Sequence, residues 1–230
     1  MQAIIRCLAL GSKAKGADHG RVAAVDLTPL RLTVRPRRRL GQLVAGLVLY
    51  GTSMAMMIRS SLGLNPWDVL HEGVTLRTGW SFGTVTVLTG LVVLLAWIPL
   101  RQRPGIGTVA NVVVIAVSVD VVLALLDTPH SMPARVALLL GGVVGNGLAT
   151  AAYVGARLGL GPRDGLMTGL HARTGVSVRA VRTAIELSVL ALGWLLGGTV
   201  GLGTVLYALV IGPLTQLFLP WVTVHRPADT

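Results

Sequence analysis

Displaced by 96 residues, the sequence overlays itself without a gap. Gly63-Leu64-Asn65-Pro66-Trp67-Asp68-Val69-Leu70 falls on Gly159-Leu160-Gly161-Pro162-Arg163-Asp164-Gly165-Leu166. Arg77-Thr78-Gly79 falls on Arg173-Thr174-Gly175, and Gly105-Ile106-Gly107-Thr108-Val109 on Gly201-Leu202-Gly203-Thr204-Val205. Over residues 44–115, 26 of 72 positions are identical. A shared apolar bias would not align Pro, Asp, Arg and Gly. The chain is therefore two copies of one unit, and any fold assigned to one copy must suit the other.

Composition says where those copies reside. The chain is 53% hydrophobic and 13% charged, with mean hydropathy +0.72. Average domains carry about 25% charged residues. So little charge cannot cover a soluble globular surface, and so much apolar surface excludes disorder. A polytopic membrane protein remains. A spanning helix needs about 20 mostly apolar residues. Six segments meet that description: 40–58, 81–100, 107–126, 135–156, 178–197 and 203–222. The predicted fold class is all-α, with six transmembrane helices, three per copy. An odd number of spans makes the second copy enter from the opposite side, as an inverted repeat. The arginines agree. Arg101 and Arg103 of the first copy fall on Gly197 and Thr199 of the second, whereas Arg179 and Arg182 fall on Gly83 and Thr86.

The net charge of +11 is not a nucleic-acid signature. Residues 1–39 hold nine of the twenty basic residues and two acids, Asp18 and Asp26. This segment reads as a basic, disordered cytoplasmic tail facing anionic lipid. Arg35–Arg39 pins the first span by the positive-inside rule and only imitates a twin-arginine signal. The loop arginines place both termini in the cytoplasm. The division is then tail 1–39, repeats 40–126 and 135–222, and a short tail 223–230. The single cysteine, Cys7, excludes an intramolecular disulfide and multi-cysteine metal sites.

The residues that repeat also carry a resemblance. Residues 63–73 (Gly-Leu-Asn-Pro-Trp-Asp-Val-Leu-His-Glu-Gly), Arg77-Thr78-Gly79 and Arg103-Pro104-Gly105-Ile106-Gly107-Thr108 resemble the YczE/YyaS/YitT family of bacterial integral membrane proteins. The resemblance covers about residues 40–218. It implies a multi-pass protein of the bacterial cytoplasmic membrane and supplies no substrate or catalytic residue.

The candidate site rests on the paired Pro-x-Asp elements. Pro66 and Pro162 suit a first helical turn, where the missing N–H costs nothing. Asp68 and Asp164 then sit at a helix N-terminus, where the dipole favours a carboxylate. Gly79 and Gly175 suit the C-terminal exit. Each copy thus gains a short helix of roughly ten residues, too short to span, and either re-entrant or interfacial. Interrupted segments at matching places in two halves point to a transporter's site. The alternative is that the two aspartates only cap interfacial helices, with Arg77 and Arg173 serving the C-terminal ends. Glu186 lies well inside the fifth span with Gly90 as its counterpart. It is either a proton or cation site, or an i,i+4 partner of Arg182. Asn111 and Asn146 overlay Tyr207 and Tyr50, and interhelical hydrogen bonding is their ordinary role. Asp120, toward the outer end of its span, suits solvent.

The expected substrate-binding set is Asn65, Pro66, Asp68, Pro162, Asp164, Glu186, Asn111 and Asn146. No catalytic triad, metal cage or nucleotide loop is present in the spacing. An enzyme, a cofactor and nucleic acid are therefore not expected. The expected partners are the bilayer and a small-molecule or ion substrate, with a homo-oligomer left open. The expected function is a small secondary transporter or exporter, with a non-transporting scaffold or assembly factor as the alternative. A polar mid-depth cavity would favour the first, and a sealed glycine-packed interface the second.

Overall fold

The computed structural model describes residues 33–224, so most of the basic tail, Cys7 and Arg226 lie outside the described residues. Eight helices follow, with no strand among the described residues. They are α1 (Pro36–Ser60), α2 (Pro66–Thr78), α3 (Phe82–Trp97), α4 (Ile106–Leu125), α5 (Met132–Gly155), α6 (Pro162–Thr174), α7 (Val178–Leu195) and α8 (Leu202–Val222). Each expected apolar segment and both short elements appear as helices. α1 starts at Pro36, inside the stretch assigned to the tail, because Arg39 is fully buried and anchors it.

Four helices, α1, α4, α5 and α8, are long and apolar enough to cross a membrane. The bent α2–α3 pair, with 117° between its arms, would make a fifth span. α3 falls short because 16 residues reach only about 24 Å against a 30 Å hydrocarbon core. α7 is long enough, but Arg179, Arg182 and Glu186 make it polar.

Local sequence explains the helix ends. Pro opens α2 and α6, and their C-caps Gly79 and Gly175 take left-handed φ values of 74° and 71°. That conformation is nearly free for glycine. The left-handed backbone positions Ser61, Gly63, Gly79 and Arg101 recur at Arg157, Gly159, Gly175 and Gly197, each 96 residues on.

The core is an α1–α5 pair brought close by glycine. A Cβ on Gly46 would press on the Tyr153 amide at 3.0 Å, and one on Gly142 would meet the Ser53 carbonyl at 3.0 Å. α4 packs on α1, and α8 packs on α5. The short helices cross over: α2 packs against α7, and α6 against α3.

Contacts between the copies are reciprocal at the level of atoms. Gly107 N–H donates to the Leu158 carbonyl (3.2 Å), and Gly203 N–H donates to the Leu62 carbonyl (2.8 Å). Arg39 donates to the Ala156 carbonyl (2.9 Å), closing the end of α5. Arg135, its counterpart, donates to the Ser60 carbonyl (2.7 Å), closing the end of α1. Arg77 and Arg173 do not serve their own helices. They donate to the carbonyls of Leu196 and Pro99, beyond the ends of α7 and α3 (3.2 and 3.0 Å). Packing volumes are exchanged as well: Gly165 of α6 lies under Trp97 of α3, while Gly193 of α7 lies under the Val69–Leu70 backbone of α2.

Candidate functional site

The first turns of the two short helices come together. Asn65 caps α2: its Oδ1 accepts from the amides of Trp67 and Asp68 at 3.1 and 3.0 Å. Its Nδ2 donates to Asp68 Oδ2. α6 begins with the same backbone, but Gly161 stands at the cap with no side chain of its own to accept from the first-turn amides, and the Asp164 carboxylate reaches back to the Gly161 amide. From that turn, Arg163 lies over the Trp67 ring, 4.8 Å from its centroid, and sends Nη2 to 3.8 Å from Asp68 Oδ1. Copy one thus offers tryptophan and copy two arginine at the same repeat position, and the two stack where the copies meet.

Around this junction lies a cavity of about 410 Å³, within the range of small-molecule sites. Of the expected residues, Asn65, Pro66, Asn111, Pro162, Asp164 and Glu186 line it. Asp164 holds a hydrogen bond from the Tyr153 hydroxyl at 2.9 Å. Asn111 stands beside this pair, with its Nδ2 3.7 Å from where a Gly161 Cβ would project. Two expected residues stand behind the wall instead. Asp68 is fully buried; besides Asn65, it has His71 Nδ1 at 3.6 Å. Its Oδ1 accepts no hydrogen bond, an arrangement that is costly for a buried carboxylate. Asn146 is buried between Ser53, to which it donates (3.1 Å), and the Tyr207 hydroxyl, from which it accepts (2.8 Å).

Glu186 lies on the α7 wall as the i,i+4 partner of Arg182, at 2.8 Å, with Arg182 half exposed. Asp120 is outside the site and not simply solvated. It accepts from Ser81 Oγ (2.6 Å) and from the Gly83 amide (2.7 Å), so it caps α3 and ties it to α4. No group of three or more His, Cys, Asp or Glu able to hold a metal occurs among the described residues.

The residues sequence reasoning left out of the site are Tyr50, Tyr153, Tyr207, Trp67, Arg163, Arg179 and Arg182, which also line the cavity. A signal for two of them was present. Tyr50 and Tyr207 are the repeat counterparts of Asn146 and Asn111, so the same two positions carry one asparagine and one tyrosine in each copy.

The cavity is lopsided, and its sequence cause is visible. On α3, Gly83 and Gly90 lie against α4, whereas Thr86 borders the cavity with its Oγ1 3.4 Å from His71 Nδ1. A Cβ at Gly83 would collide with the Ala116 carbonyl and Asp120, and one at Gly90 would press on Val112 at 3.1 Å. The counterparts on α7 are Arg179, Arg182 and Glu186, which cannot pack so closely. α7 and α8 accordingly stand apart, and the cavity, also lined by Thr89 of α3 and by Asn111 and Ile115 of α4, extends between them to Ile211, Gly212 and Gln216 of α8.

The model of a family of unknown function, DUF6198, matches residues 37–220. An uncharacterized protein of Haemophilus influenzae is 41% identical over 77% of this chain and 81% of its own length. The uncharacterized membrane protein YczE of Bacillus subtilis is 33% identical over 76% of this chain and 83% of its own. The uncharacterized protein YyaS of the same organism is 24% identical over 78% of this chain and 92% of its own. No solved structure matches the chain.

Proposed function

The chain belongs to the DUF6198 family of integral membrane proteins, and from that premise we propose that it is a small secondary carrier or exporter whose site lies between two inverted repeats. One observation carries the reading: the N-termini of α2 and α6 converge on a cavity holding Asn111, Tyr153, Asp164 and Glu186. Short helices meeting end to end at a repeat interface are how transporters build substrate sites. A scaffold would have no need of polar groups around a space of 410 Å³; unsatisfied polar groups in hydrocarbon are costly. The reciprocal Arg39 and Arg135 caps support the inverted arrangement, which makes α3 and α7 the remaining two of six spans. In this reading α2 and α6 are re-entrant from opposite faces, both termini are cytoplasmic, and the protein sits in the bacterial cytoplasmic membrane. The substrate is a small molecule or ion, no enzymatic step or cofactor takes part, and a homo-oligomer is compatible.

The test begins with untargeted metabolite comparison of cells with and without the gene. Proteoliposome transport of the best candidate follows, for the parent chain and Asp164→Asn. The expected result is saturable transport lowered at least tenfold by Asp164→Asn, with insertion unchanged. Transport indistinguishable between the two chains would remove Asp164 from the site, and no solute moved by the parent would return the scaffold.

A further inference from the structure

Resting on the reading of this cavity as a carrier's site, we propose its substrate class: a single-chain amphipathic anion that comes from the bilayer and enters sideways between α7 and α8. Three independent features point there.

The first is the opening. In copy one Gly83 and Gly90 bring α3 onto α4; in copy two their counterparts Arg179 and Glu186, with Arg182, stand on α7 where it packs little against α8. Nothing lies within 4 Å of a Cβ at Gly212, on the α8 side of the cavity. A gap between two lipid-facing helices admits a molecule already dissolved in the membrane.

The second is charge. Each carboxylate on the wall is engaged, Asp164 by Tyr153 and Glu186 by Arg182. Arg179, on the same wall, has no acceptor among the described residues. The wall as a whole carries four arginines, Arg157, Arg163, Arg179 and Arg182, against these two carboxylates. The site therefore has donors in excess, which suits a carboxylate or phosphate head and repels an ammonium.

The third is an internal comparison. The oxygen of Asn65 occupies the first turn of α2. At Gly161 the same place on α6 has no cap side chain; it borders the cavity, with Asp164 Oδ2, the Tyr153 hydroxyl and Asn111 Nδ2 at 3.2, 3.4 and 3.7 Å from where a Cβ would project. An oxygen of the ligand's head would take on α6 the role that Asn65 Oδ1 has on α2. The apolar chain then lies against Ile115, Ile211 and Leu219.

The full chain in lipid nanodiscs would be melted in the presence of laurate, acetate, dodecanol and dodecylammonium. Binding to the folded state raises the melting temperature by mass action. Laurate is expected to raise it saturably, and the other three are not. Two variants are chosen to fold. Gly161→Asn keeps a backbone (φ −62°, ψ 156°) nearly identical to that of Asn65 (φ −67°, ψ 158°), and its Cβ meets only side-chain ends, Asp164 Oδ2 at 3.2 Å, the Tyr153 hydroxyl at 3.4 Å and Asn111 Nδ2 at 3.7 Å. Gly212→Trp projects into open space. Without ligand both should melt no lower than the parent by more than about 2 °C, and both should weaken the laurate response at least tenfold, about 1.4 kcal/mol. An equal response to dodecylammonium overturns the charge assignment, and a response to acetate overturns the bilayer route. An undiminished laurate response in both variants overturns the site. Because the readout is binding, solute transport that persists without any laurate response would sink this proposal while leaving the carrier reading intact.

Discussion

Asn65 and Gly161 occupy the same repeat position and treat their helices differently. Asn65 caps α2 and donates to the buried Asp68. Its replacement by alanine removes a cap worth about 1 kcal/mol and strips a buried carboxylate of its donor, which costs a further 1–3 kcal/mol. Asn65→Ala is expected to lower stability by about 2–4 kcal/mol in a denaturation series in mild detergent. Gly161→Ala, by contrast, should cost well under 1 kcal/mol. The Arg182–Glu186 pair sits at the exposed end of the scale: Arg182 is 50% and Glu186 29% exposed. Glu186→Gln should therefore change stability by about 0.5 kcal/mol or less. A loss above about 2 kcal/mol would mean that the carboxylate has a partner beyond Arg182.

At the scale of elements, the crossed packing of the short helices decides the architecture. Gly165 receives the Trp97 ring, whose Nε1 also donates to the Pro162 carbonyl at 2.9 Å. Gly165→Val is expected to destabilise by about 1–3 kcal/mol through overpacking, and Trp97→Ala by about 3–5 kcal/mol through the void it leaves. Their sum should not be reached in the double variant, since one change makes room for the other; the coupling is readable in a double-mutant cycle. α3 and α4 make the complementary case. Gly83→Arg copies the α7 residue into α3, where the Ala116 carbonyl and Asp120 leave no space. It should part α3 from α4, and the measure is a disulfide between cysteines at Gly90 and Val112, formed readily in the parent background and poorly in the variant.

For the whole molecule, the crossed contacts place the α6 C-terminus with the end of α3, and the α2 C-terminus with the end of α7. If the repeats are inverted, these clusters lie on opposite faces of the membrane. With Cys7 replaced by serine, a cysteine at Thr128 or Thr199 should react with an impermeant thiol reagent from outside the cell. A cysteine at Gln102 should react only after lysis. Labelling of Gln102 in intact cells would contradict the arrangement. Much of this was legible beforehand. The eight helices follow from apolar runs broken by Pro and Gly, and the caps of α2 and α6 from Pro at the start and Gly at the exit. Six of the eight expected site residues reached the cavity wall. Asp68 and Asn146 did not, because helical register and spacing do not reveal which face of a fully buried position looks into a void. The reciprocal arginines Arg39 and Arg135 went unread, although they also stand 96 residues apart, because each lies outside the stretch of high identity.

By itself, then, the sequence determined that the chain is helical, built twice from one unit, and made for the bilayer. Those properties depend on local periodicity, on backbone chemistry at Pro and Gly, and on the cost of charge in hydrocarbon. Only the tertiary structure decided where the copies touch. It paired Arg163 with Trp67, placed Asp68 behind the wall and Asp164 on it, and left α7 standing off α8. Such outcomes depend on which side chains meet at a distance of 96 residues or more, and a close-packed interior settles that through all of its contacts together.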